Sequence, residues 1–184
     1  MNMLVVVASK HGSTKDIGET IAGELRSMGI TADVLALPGA PDLAQVDAIV
    51  LGSAVYMGRW LPAAVDFVKK HREELRAVPV WLFSSGPLGA DRPVPPGDPQ
   101  DLDELMAATR ARGHRLFSGR LDGADLGLGE RLIARIVHAP SGDFRDWDAI
   151  RTWAREIGSA LLAASPDRQG AATSTGEPQP METP

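Results

Sequence analysis

Val5-Val6-Val7-Ala8-Ser9-Lys10-His11-Gly12-Ser13-Thr14, running straight into Lys15-Asp16-Ile17-Gly18-Glu19-Thr20-Ile21, is the stretch that decides the fold. A short apolar run ends in a hydroxyl-rich turn around one glycine. The turn opens a segment with Ile17, Ile21, Leu25 and Met28 at helical spacing, and Gly29 stands where a C′ glycine is expected. A first strand that feeds a first helix in this way makes an anion site. The N–H groups of the turn and the unpaired N–H groups of the first helical turn converge on one point, where the helix dipole favours negative charge. Ser9, Ser13 and Thr14 add hydroxyl donors without a full positive charge, and Lys10 and His11 complete the loop. Gly12 permits close approach of a ligand or a positive φ. Ser and Thr are also ordinary helix caps, so the turn alone leaves a phosphate site and a plain cap both open.

Outward from this stretch the chain repeats the same alternation. Residues 31–37, 48–51, 80–83 and 116–117 read as further strands, and 61–75 and 102–112 as helices. A last helix carries Trp147, Ile150, Trp153 or Ala154, Ile157 and Leu161 on one stripe. Near-continuous apolar strands alternating with helices imply a parallel sheet buried on both faces. The expected fold is α/β: a doubly wound five-stranded parallel sheet in a three-layer α/β/α sandwich. One domain spans residues 1–164, and residues 165–184, rich in Pro, Gly, Ser, Thr and Gln, read as a disordered tail.

Composition bounds the chemistry. The 184 residues are 43% apolar and 23% charged, enough for one core, and the net charge of −5 argues against a nucleic-acid surface. There are no cysteines, which removes disulfides, thiolate nucleophiles and cysteine-bound metals together. No His or carboxylate cluster has metal-ligand spacing, so no metal is assigned. The short N-terminal apolar run reads as a strand and not as a signal peptide, and no run approaches the roughly 20 residues of a membrane span. The expected location is cytoplasmic.

In doubly wound sheets the ligand lies beyond the carboxyl ends of the strands, where strand order reverses. Two loops besides the first belong to that edge. The second is Ser53-Ala54-Val55-Tyr56-Met57-Gly58-Arg59-Trp60, which holds the chain's single tyrosine. The third begins Ser84-Ser85-Gly86-Pro87 and carries Asp91 and Arg92. Together they suit a planar ligand with a phosphate tail held by the first loop. Tyr56 is read as bordering the ring. Trp60 begins a helix whose apolar face needs cover, and is read as packing there. His71 and His114 are read as solvated. The turn lacks the Walker G-x-x-x-x-G-K-[ST] pattern and the dinucleotide G-x-G-x-x-G pattern. It also lacks the acidic cluster of a receiver domain and any phosphatase nucleophile.

On these residues the chain resembles the flavodoxin superfamily over residues 3–164, with Ser9-Lys10-His11-Gly12-Ser13-Thr14 in place of the usual T-x-T-G-x-T loop. The resemblance implies strand order 2-1-3-4-5 and FMN as cofactor. It implies FMN contacts at residues 9–14, at Ser53, Ala54, Val55, Tyr56, Met57 and Gly58, and at Ser84, Ser85, Gly86 and Pro87. Within the superfamily the chain looks most like the flavodoxin-like protoporphyrinogen dehydrogenases that pass electrons to menaquinone. The likeness rests on residues 53–58 with Phe67-Val68-Lys69-Lys70-His71, on Ser118-Gly119-Arg120-Leu121, and on the segment from Arg131 to Ile157. That implies an FMN-dependent oxidoreductase with a porphyrinogen-type substrate and a quinone acceptor. A flavodoxin-like electron carrier serving a protein partner is the alternative, and a flavin-free domain a third.

Two departures from ordinary flavodoxins bear on function. The third loop has no aromatic, which leaves one ring face open to a substrate. The second loop has Arg59 and no acid, and in the third Asp91 is offset by Arg92. Arg59 and Arg92 are therefore the candidate substrate residues: Arg holds carboxylates with a bidentate fork, and a cation near a flavin raises its potential. Residues 119–145 form an insert longer than the usual βα connection of about 2 to 6 residues. Within it 130–138 carry Leu132, Ile133, Ile136 and Val137 among Arg131, Arg135 and His138. This reads as cover for the sheet edge, with peripheral contact at the inner face of the cell membrane as the alternative.

Overall fold

The computed structural model describes residues 1–86, 98–121 and 142–164. Pro87, Asp91, Arg92, most of the 119–145 insert with its 130–138 stripe, and residues 165–184 lie outside these. In chain order the elements are β1 (Asn2–Ala8), α1 (Ser13–Ser27), β2 (Thr31–Ala36), β3 (Ala48–Tyr56), β4 (Arg59–Trp60), α2 (Pro62–Lys70), α3 (Arg72–Ala77), β5 (Val80–Gly86), α4 (Leu102–Thr109), β6 (His114–Ser118), β7 (Arg120–Leu121), β8 (Gly142–Asp143) and α5 (Trp147–Ala163). The five long strands pair in parallel in the order β2-β1-β3-β5-β6. Counting only those strands, this is the 2-1-3-4-5 order, since β4 is a two-residue antiparallel addition to β3.

The apolar run of β1 explains the layering. Side chains alternate across a strand, so Val5 and Val7 point into one core and Val6 and Ala8 into the other. The first core is closed by Ile17, Ile21 and Leu25 of α1 and by Ile150, Trp153, Ile157 and Leu161 of α5. Phe83, Phe117 and Trp153 meet there edge to face, with centroids 5.6–6.2 Å apart for the two pairs that include Trp153. The second core is closed by Ala64, Phe67 and Val68 of α2, Leu75 of α3 and Leu105 of α4. Each fully buried Leu or Ile side chain contributes about 1.5–3 kcal/mol. Helices on both faces are therefore what a sheet of this composition requires.

Several boundaries differ from the sequence expectation. The third strand does not stop at Leu51 but continues to Tyr56, because residues 53–56 pair on with β5 and with β4. The apolar stretch 61–75 is two helices, separated at His71. The fourth ends at Thr109, where Arg110 turns left-handed (φ 53°). Neither histidine read as solvated is so. The His71 ring packs 4.8 Å from Phe67, and the His114 side chain is only 9% exposed on β6. Spacing could not show this, because in both cases the covering groups come from tertiary packing.

Candidate functional site

Parallel register brings the three loops to one edge. Ala8 pairs with Ser53, Ala54 with Ser85, and Gly86 with Ser118, so the turn after β1, the end of β3 and the end of β5 open side by side.

The first loop leaves the N-terminus of α1 uncapped and open. Gly12 is the N-cap of α1 with φ +82°, the left-handed region, and nothing lies within 4 Å of where a side chain would start. No side chain caps the helix. The first intrahelical bond comes only at the Asp16 N–H, to Gly12 O, so the amides of Ser13, Thr14 and Lys15 face forward. Thr14 is buried. The Ser9 hydroxyl is buried with no hydrogen-bond partner among the described residues. An unsatisfied buried hydroxyl costs about 1–3 kcal/mol, and this one lies in the turn that leads into α1. The Ser13 hydroxyl accepts from the Arg120 N–H at 2.9 Å, which leaves its own proton to donate.

The second loop is a tight hairpin and not a long loop. Tyr56 and Arg59 pair across a two-residue turn in which Met57 (φ 50°) and Gly58 (φ 76°) are both left-handed. The main chain of this turn is held: the Gln100 N–H donates to Gly58 O at 2.8 Å, and the Asp101 carboxylate accepts from the Trp60 N–H at 3.2 Å. Met57 is 95% exposed at the tip and Arg59 is exposed beside it. Tyr56 is half-buried, 6.4 Å centroid to centroid from His11, and the Lys10 ammonium lies 5.2 Å from the centre of the tyrosine ring. The hairpin and the first loop therefore lie against each other. Ala54 and Val55 are half-buried on the strand leading to the turn.

Other site candidates turn out to be braces. The Ser53 hydroxyl donates to Ala54 O and accepts from the Leu61 N–H, fixing the start of α2. Trp60 is buried, and its Nε1–H donates to the Ser84 hydroxyl at 2.8 Å. Ser84, fully buried, also bonds His114 Nε2 at 2.8 Å, while His114 Nδ1 faces Asp98 at 3.5 Å. Burial pushes the His114 imidazole below its ordinary pKa, against an upward pull from Asp98. The neutral ring then carries its proton on Nδ1 toward the carboxylate and accepts from Ser84. The order Ser–His–Asp is that of a hydrolase triad, but the serine is sealed under Trp60 and serves packing. Ser85 is buried, and Gly86 O accepts from the Gly119 N–H at 2.6 Å.

Sequence reasoning missed Gln100, Asp101, Gly119 and Arg145, all of which brace this edge. Only Gly119 left a trace: a Cβ there would lie 2.8 Å from Gly86 O, so glycine is required by a close approach.

Protoporphyrinogen IX dehydrogenase [quinone] of Escherichia coli K12 is 26% identical over 172 residues, covering 85% of this chain and 94% of that protein. The protein of the same name from Leishmania major is 24% identical over 188 residues, covering 89% and 77%. Among solved structures, an archaeal flavodoxin superposes with a TM-score of 0.57 at 17% identity, covering 88% of this chain and 99% of its own. The rubredoxin:oxygen oxidoreductase of Desulfovibrio gigas gives 0.58 at 16%, covering 88% of this chain and 36% of its own. The family model described as Flavodoxin domain matches residues 4–148. The chain therefore belongs to the flavodoxin-domain family, whose cofactor is FMN.

Proposed function

We propose that the protein is an FMN-dependent dehydrogenase that oxidises a carboxylate-bearing substrate of porphyrinogen type and passes the electrons to a quinone. The residues present fit FMN. Ser9 offers a buried hydroxyl with no partner among the described residues, Gly12 leaves the cradle open, and Ser13 has a proton to donate. Ser9, Ser13, Thr14 and the forward-facing amides of α1 would hold the phosphate, with His11 completing the loop. Tyr56 is the aromatic that the hairpin presents to the ring, with Ala54, Val55, Met57 and Gly58 around it and Ser85 and Gly86 beside them at the end of β5. Ser53 and Ser84 support these walls from behind, since their hydroxyls are already engaged.

FMN, when bound, supplies the redox chemistry, accepting two electrons from an organic donor and releasing them to an acceptor. The chain's own residues bind, orient and set the field. Among the described residues of the hairpin the charged group is a cation, Arg59, and no acid lies between Ser53 and Trp60. A cation there stabilises negative charge on a reduced ring and attracts a carboxylated substrate. Met57, exposed beside it, offers an apolar, polarisable contact to a flat ring.

The single observation that carries this reading is the rigidly braced hairpin tip, apolar and cationic where a low-potential carrier would be acidic. The names of the two relatives point the same way. Anaerobic turnover of protoporphyrinogen IX with a menaquinone analogue tests it: substrate-dependent quinone reduction is expected. No turnover, together with a flavin couple well below that of free FMN, would instead make the protein an electron carrier.

A further inference from the structure

The chain returns to the first loop from a distance of more than a hundred residues. The Arg120 N–H reaches the Ser13 hydroxyl, and its ribbon partner Asp143 stands opposite on β8. Asp143 holds Arg145 in a fork, Nε to Oδ1 at 2.8 Å and Nη2 to Oδ2 at 2.6 Å. The third nitrogen, Nη1, goes to Asp16 Oδ2 at 2.8 Å and lies 3.5 Å from Ser13 O. The guanidinium stacks 4.3 Å from the centre of the Trp147 ring, and the side chain is 5% exposed, whereas Asp16 and Asp143 are 49% and 42% exposed.

This is an unusual amount of anchoring for one surface turn. Asp16 lies in the first turn of α1, where a carboxylate suits the helix dipole but competes with any other anion for the same field. Two carboxylates left bare beside the cradle would oppose a phosphate dianion. A buried, doubly engaged guanidinium cancels one of them and holds the other. Its planar fork is pre-organised, so little further ordering is needed when a ligand arrives. The Arg120 amide meanwhile occupies an acceptor position of Ser13, turning that hydroxyl into a donor.

We infer that Arg145 is a positioning residue for the cofactor phosphate: it neutralises Asp16 and fixes the Ser13 turn, so that the N-terminus of α1 stays receptive to an anion it does not itself touch. This rests on the reading of the cleft as an FMN site and adds a residue that acts through others.

The test is a set of titrations on the full chain, freed of flavin, following fluorescence quenching by FMN and by riboflavin, which lacks the phosphate. Arg145→Met should weaken FMN binding by about tenfold while leaving riboflavin binding nearly unchanged, because the removed charge acts on the phosphate. Asp16→Asn alone should hold or tighten FMN affinity, and Asp16→Asn with Arg145→Met should recover most of the loss. Equal losses for FMN and riboflavin, or no recovery in the double variant, would mean that Arg145 only holds the fold and would overturn the inference. If Arg145→Met does not fold, Asp16→Asn still decides: weaker FMN binding in that variant overturns the inference. Wild-type protein that quenches neither flavin would instead refute the FMN reading.

Discussion

Ser9→Ala separates stability from binding, because the two effects have opposite signs. In the cofactor-free protein the Ser9 hydroxyl is buried with no partner among the described residues. An unsatisfied buried polar group of this kind costs about 1–3 kcal/mol, and an alanine of nearly the same shape removes that cost. Taking the low end, since solvent reaches the half-buried loop, the variant gains about 1 kcal/mol. For a domain of this size that raises the unfolding midpoint by about 2–4 °C. With FMN present the same hydroxyl is a donor to a charged phosphate, a bond worth about 1.5–3 kcal/mol. Its loss weakens affinity by about 10- to 150-fold. Calorimetry on flavin-free protein and a fluorescence titration with FMN read the two quantities separately. Wild-type affinity in the variant would show that Ser9 does not contact the phosphate. A lower midpoint without flavin would show that the hydroxyl is satisfied and that the loop is not an open cradle.

Arg59→Glu should depress turnover of a carboxylated substrate and lower the flavin potential while leaving FMN affinity near wild type, since the proposed phosphate site is on the other loop; equal turnover and potential in the two proteins would refute the role. Gly52→Ala places a Cβ 2.0 Å from Cζ of Phe83, whose ring is boxed in by Phe117 and Trp153, and should cost about 1–3 kcal/mol in denaturant unfolding; an unchanged midpoint would mean the aromatic cluster yields freely. Burial lowers the His114 pKa in the folded protein, so the unfolded chain takes up more protons below the ordinary histidine value of about 6.5. Stability is full above that value and declines as pH falls through it. His114→Asn should flatten this decline, and an identical pH profile in the variant would show that another group is responsible.

The layered architecture was legible in the chain alone, and so was the sheet edge on which the proposed site lies. Apolar runs such as residues 4–8 carry burial on both faces in a single stretch of chain. The helical spacing of α1 and α5 carries their inner faces, and a strand–turn–helix with Gly12 and three hydroxyls carries the uncapped N-terminus of α1. These signals are local: backbone geometry over ten or so residues converts them into structure without help from elsewhere. What brought the loops together was register, and what completed them was contact across the fold.

The hairpin at Tyr56 is the clearest case. As a string, residues 53–60 look like an irregular loop. Pairing with β5 extends the strand, and Gln100 and Asp101, more than forty residues on, close the turn. His114 is polar in sequence and buried in space, because Ser84 and Asp98 satisfy its two ring nitrogens from two other segments, with Trp60 in turn holding Ser84. Arg145 looks like a surface residue until Asp16 and Asp143 are placed on either side of it. Nothing in composition or periodicity marks such a residue. A charge becomes worth burying only where the fold delivers its partners, and only the tertiary structure decides where that is.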